Sequence, residues 1–178
     1  MDSRRKNIVD THLSKEAEIG QWLWALQDTR QRTMEELDSV SPAMIDWLPP
    51  DNESSIGTIL YHIAGIEADW LYVEVLEHSL PSEVAGLFPY PARDEQGYLT
   101  QIQGDSLAVH LKRLETVRGL LLAVFQQMDL AEFRRVRSLP DYDVTPEWVL
   151  HHLMQHEAEH RSQIGALQTR AKRKLAQG

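Results

Sequence analysis

The chain has 178 residues, 42% hydrophobic and 25% charged, which suits a single domain over 1–178 and is short for two. Its 27 Asp and Glu outnumber its 18 Lys and Arg, and the resulting charge of −9 argues against nucleic acid or an anionic membrane as main partner, because both reward a basic surface. Cysteine is absent, which excludes a disulfide scaffold, a thiolate nucleophile and any Cys-containing zinc site, and leaves eight histidines as the soft donors.

At the N-terminus Arg4, Arg5 and Lys6 are basic, but Asp10, His12 and Lys15 interrupt the apolar run that a targeting signal needs. The longest apolar stretch, Leu120 to Phe125, falls far short of the roughly 20 residues of a membrane span. A soluble cytoplasmic protein is expected. The first predicted helix runs from about Leu13 to Ser39. Ile19, Trp22, Leu23, Leu26, Met34 and Leu37 recur at three-to-four spacing, with Thr29 and Arg30 bridging the gap. Pro42, Pro49 and Pro50 end it.

The second helix is predicted from a cap at Ser54 or Ser55 to about His78, with Ile59, Ile63, Ile66, Trp70 and Val73 as its stripe. Gly57, Ala64 and Gly65 allow a neighbour to approach closely. Leu80 to Gly104 holds three prolines and three glycines without a sustained pattern, and its length predicts a crossover or a functional loop. A third helix, capped by Asp105 or Ser106, should reach Asp129 with Leu107, Leu111, Leu114, Val117, Leu121 and Phe125 buried. Thr145-Pro146-Glu147 opens the fourth, combining a capping hydroxyl, proline at the first helical position and an acid in the first turn. It should end near Lys174. Four amphipathic helices and one long connection predict an all-α four-helix bundle, its core over about 13–170.

The stripe of the fourth helix reads Val149, Leu153, then positions 156 and 160, then Ile164 and Leu167, so its two central positions are His156 and His160. A lone histidine on an apolar face is ordinarily a hydrogen-bonded core residue. Two at i, i+4 point their ring nitrogens to one place, and a shared cation satisfies both. Two ligands make a poor site, so a third is predicted from another helix, and His62, between Ile59 and Ile66, supplies it. Three imidazoles with an open position suit a catalytic zinc, nickel or iron ion. His152, one turn before His156, is either a fourth ligand or, as favoured here, a partner of the ligands at the edge of the stripe. His12, His78, His110 and His151 are expected at solvated surface positions.

His156-Glu157-Ala158-Glu159-His160 also matches the H-E-x-x-H helix of zinc proteases, where the Glu is a general base. The downstream third ligand of those enzymes is missing, since no Asp, Glu or His follows His160, and no strand offers a peptide an edge. Glu157 remains a candidate neighbour of the metal even without that role.

The segments SSIGTILYHIAGIEADWLY and TPEWVLHHLMQHEAEHRSQI, with the long connection between them, resemble the DinB-like (DinB/YfiT) superfamily from about Leu13 to Gln168. The family pattern has one histidine on the second helix and an H-x-x-x-H pair on the last, followed by Arg and usually Gly-Gln. Carried over, it selects His62, His156 and His160; Arg161 and Gln163 match the trailing motif, and Ser162 replaces the usual glycine. The resemblance implies an up-up-down-down bundle, homodimers and a divalent metal in a cleft near one end of the bundle. Some relatives are S-transferases or isomerases using bacillithiol, mycothiol or glutathione, others are assigned as metal hydrolases, and many have no known reaction.

Three readings follow. The first is a metal-dependent enzyme of small-molecule chemistry, of thiol transferase or hydrolase type, in which the metal activates a low-molecular-weight thiol or water. Phe88, Tyr90 and Tyr98 would line an apolar entrance, although ordinary packing of the loop explains them equally well, and Glu67 and Asp69 are expected to be solvated charges. The second is a non-catalytic dimeric bundle with a structural or vestigial metal. The third, DNA repair, is suggested by the family name alone and opposed by the charge.

Overall fold

The computed structural model describes residues 8–50 and 54–176; the basic triplet Arg4-Arg5-Lys6 lies outside them. Four long helices form the bundle: α1 (Ala17–Leu37), α3 (Ile56–Asp69), α5 (Leu107–Gln127) and α7 (Pro146–Leu175). The short helices α2 (Pro42–Ile45), α4 (Ser82–Ala85) and α6 (Leu130–Phe133) lie in the connections, and β1 (Arg137–Ser138) pairs antiparallel with β2 (Asp143–Val144). Among the described residues, no helix is long and apolar enough to cross a membrane.

The capping residues set the starts of three helices. Ser55, Ser106 and Thr145 each accept a hydrogen bond from the backbone N–H three residues on, that of Thr58, Val109 and Trp148. α1 begins at Ala17 rather than Leu13, because residues 12–16 form turns and bends. The preceding segment closes against the helix at Gly20, where a Cβ would lie 1.9 Å from the Thr11 carbonyl oxygen. α3 ends its α-helical hydrogen bonding at Asp69 and continues as a π-helix over Trp70–Val75, closed by the Leu76 N–H donating to the Leu71 carbonyl. Such widened turns are frequent at functional sites.

Side-chain pairs fix the helix directions. Trp22 meets His151 and Arg30 meets Glu157, so α1 and α7 are parallel. Gly57 faces His110 and Glu67 meets Arg118, so α3 and α5 are parallel as well. His62 meets His156 while Trp70 meets His152, which makes α3 and α7 antiparallel. The order is therefore up, down, down, up, not the up-up-down-down implied by the resemblance. The two shorter connections join antiparallel neighbours, whereas the long one must travel the length of the bundle to join two parallel helices.

Anchors from α3 and α5 hold that crossover. The Tyr61 hydroxyl donates to the Tyr90 carbonyl at 2.7 Å, and Arg113 donates to the Leu87 carbonyl at 2.8 Å and to Asp105 at 3.0 Å. Phe88 packs edge-on against Tyr61, ring centroids 5.4 Å apart, while Tyr90 and Tyr98 are exposed. Loop packing is thus what Phe88 does.

The core has two apolar clusters. One surrounds Leu23, Leu26, Leu71, Leu121, Phe125 and Leu150; the other surrounds Leu37, Ile45, Ile56, Leu60, Leu114 and Ile164. Each long helix contributes one charge to a buried cluster: Arg30, Glu67, Arg118 and Glu157. Arg30 donates to Glu157 and to Glu67, both at 2.7 Å; Arg118 donates to Glu67 at 2.6 Å and to Glu157 at 2.9 Å. The spare guanidinium nitrogens reach the carbonyls of Leu114 and Leu26. Two positive and two negative charges cancel with their polar atoms paired, the condition under which charge survives burial.

This tetrad corrects two expectations. Glu67 is buried among arginines rather than solvated, and Glu157 occupies the centre of the α7 stripe that the periodicity assigned to His156 and His160. The buried line on α7 is Val149, Leu153, Glu157 and Ile164, and the two histidines flank it, half-buried.

Candidate metal centre

His62 projects from the middle of α3, and His156 and His160 from successive turns of α7, all toward the seam between those two helices. His156 Nε2 lies 3.1 Å from His62 Nε2 and 3.1 Å from His160 Nε2. The three form one group whose ligand atoms lie within 4.8 Å of one another, and no fourth His, Asp or Glu among the described residues joins it. The three residues predicted as metal ligands are thus brought together. With metal–nitrogen bonds of about 2.0–2.1 Å, two imidazole nitrogens stand about 3.3 Å apart in a tetrahedral site and about 2.9 Å apart in an octahedral one. The observed spacing lies between.

Hydrogen bonding decides which nitrogens are available. His160 Nδ1 lies 2.9 Å from Gln163 Oε1, so Nδ1 carries the proton and Nε2 presents a lone pair. His62 Nδ1 is buried without a partner, which leaves Nε2 as that ring's point of interaction. His156 Nε2, placed between two other ring nitrogens, has at most one proton to give and cannot satisfy both. A cation satisfies all three at once, so the residues present fit a metal.

Burial, followed by the charge of neighbouring His160, lowers the pKa of His62 to about 4 and that of His156 to about 3. Both rings are therefore neutral at pH 7, the form that ligates. The positive charge of Arg93, on the crossover, also lowers His62. With Tyr98, Gln101 and Gln163, Arg93 lines a cavity of about 410 Å³ beside the third histidine.

His152 stays out of the group. Its ring stacks on Trp148, 5.1 Å between centroids and 6° between planes, and lies 4.4 Å from Trp70 and 5.8 Å from His156. It joins the triad to an aromatic wall. Glu157 does not border the site as a base: burial pushes its carboxyl up, but Arg30 and Arg118 outweigh that and hold it low, with both oxygens engaged. The protease reading loses its general base.

His110 also departs from expectation. It is fully buried, its Nδ1 3.2 Å from Arg113 and its Nε2 turned toward Gly57. Its place three residues after Leu107 and four before Leu114 puts it on the buried face, a signal that the periodicity already contained. His12, His78 and His151 are exposed as expected.

Four long helices with a three-histidine group that could hold a metal ion at the α3/α7 seam define a helical bundle with a candidate metal site. The model of the DinB superfamily matches residues 25–164, and the chain belongs to that superfamily. No curated protein matches it.

Proposed function

We propose that this protein is a divalent-metal-dependent enzyme acting on a small molecule, with His62, His156 and His160 as the metal ligands and an open coordination position for a thiol or water. The observation that carries the reading is the convergence of three Nε2 atoms without a fourth protein donor among the described residues, the arrangement of a catalytic rather than a closed structural site. A bound zinc, nickel or iron ion would lower the pKa of a thiol or water in that position and so supply a nucleophile at neutral pH. The chain's own residues prepare the site. Gln163 sets the tautomer of His160, and burial keeps His62 and His156 unprotonated.

Because the sequence contains no cysteine, a thiol nucleophile must come from a low-molecular-weight cofactor or from the substrate. The same absence makes a direct experiment possible. In cobalt-substituted protein, a thiolate-to-cobalt charge-transfer band can arise only from added thiol. The transferase form of the proposal predicts that band on adding glutathione or a related thiol, and the hydrolase form predicts ester or amide hydrolysis without it. If metal-loaded protein shows neither, the reading as an enzyme fails and a structural metal replaces it. We further propose a cytoplasmic homodimer, for which sedimentation of purified protein is the test of assembly.

A further inference from the structure

Beyond the histidine group, the α3/α7 seam opens into a cavity of about 590 Å³ lined by Trp70, Tyr142, Trp148, Asp143 and Val136, among others. Trp70 stands on the π-helical turn, Trp148 on the first turn of α7, and Tyr142 and Asp143 on the hairpin. The rings form one surface: Trp70 lies 5.3 Å from Trp148 and 6.2 Å from Tyr142, centroid to centroid. Trp148 and Tyr142 are nearly half exposed, at 47% and 44%, so their faces are open to a ligand.

Carboxylates lie close to these rings. Among the described residues, Asp143 is the only charged one in the lining. Behind Tyr142, the buried Glu74 accepts the phenol's hydrogen bond at 2.7 Å through Oε1, while its Oε2 has no partner. Asp69 and Asp141 act on the same phenol electrostatically. Aromatic faces carry the negative end of a quadrupole, and carboxylates beneath or beside them add to the field.

We propose that this pocket binds an organic cation, an alkylammonium or quaternary ammonium group on a small apolar body. Transfer from water costs a cation more than a neutral molecule of the same shape, so a purely apolar pocket prefers the neutral one. Preference for the cation requires the rings and carboxylates to act together. A second copy of this chain is a poorer occupant, since it would bring another charge of −9 toward Asp143 and Glu74. His152 stands between the aromatic wall and the histidine group, in ring contact with Trp70 and His156. A ligand held here would lie along the seam that leads to them.

Choline and its neutral isostere 3,3-dimethylbutan-1-ol are the probes, titrated by ligand-observed NMR on chelated and on metal-loaded full-length protein. Choline should saturate and bind at least tenfold more tightly than the alcohol. Trp148→Ala should weaken choline at least tenfold and Asp143→Asn several-fold, with thermal unfolding of both variants close to wild type, since both side chains are exposed. Chelation should leave choline binding within twofold, so failure of the metal reading would not carry this one with it. Equal affinity for the two probes, no saturation by millimolar choline, or a dimer that Trp148→Ala dissociates would each overturn the proposal.

Discussion

One hydrogen bond at Nδ1 of His160 decides which nitrogen faces the other rings, and its acceptor is Oε1 of an exposed glutamine. Gln163→Leu should leave folding unchanged and weaken metal binding about 10- to 100-fold, the usual effect of losing such a partner, as read by competition with a chromogenic chelator. Unchanged affinity would mean that Gln163 does not set the tautomer. His110 carries a different prediction. Burial, then Arg113, lowers its pKa to about 4, below the 6.5 of an unfolded histidine. The unfolded chain therefore binds the proton first, and stability falls as pH drops from about 6.5 toward 4, by up to about 1.4 kcal/mol per pH unit for this one group. Urea unfolding of wild type and His110→Gln at pH 7 and pH 5 isolates it: the variant should lose less stability between the two. His62, His156 and His160 were legible in the sequence because ligand geometry has a spacing, i to i+4 on one helix plus one partner. The pairing of Glu157 with arginines was not, because it depends on three other helices.

The helices themselves follow from local chemistry, and so their starts were readable. Thr145 caps α7 through its hydroxyl, and Thr145→Ala should cost about 1 kcal/mol in chemical denaturation. The π-helical turn was invisible, since Trp70 to Val75 keeps an apolar pattern that an α-helix would also satisfy. The hairpin, two residues per strand, is too short to show alternation. The crossover was recognised by its prolines and glycines, but what holds it was not. Arg113 ties Leu87 and Asp105 to α5 and lies 4.8 Å from the centroid of the Tyr61 ring. Arg113→Gln should speed amide hydrogen exchange across 87–105 while leaving α1 and α7 protected. Uniform exchange across the chain would show that the crossover is held elsewhere.

At the scale of the whole molecule, the tetrad is the joint at which all four long helices meet, and it turns a pattern that looked like scattered surface charge into a packing rule. Each member sits four residues after a core aliphatic: Leu26, Ile63, Leu114 and Leu153. Glu67→Gln leaves an arginine short of its counter-charge and should destabilise the fold by about 3–5 kcal/mol. Glu157→Gln should do the same, yet its folded fraction should retain the full metal content, because Glu157 is paired with Arg30 and Arg118 and holds no metal. The central claim is the three-histidine metal centre. Its most direct test is elemental analysis of protein purified without a histidine tag, wild type beside His156→Ala, before and after chelation and reloading. About one divalent ion per wild-type chain, lost in the folded variant and restored by reloading only in wild type, is the predicted result. A wild-type stoichiometry near zero that does not recover on reloading, or equal metal content in both proteins, would contradict it.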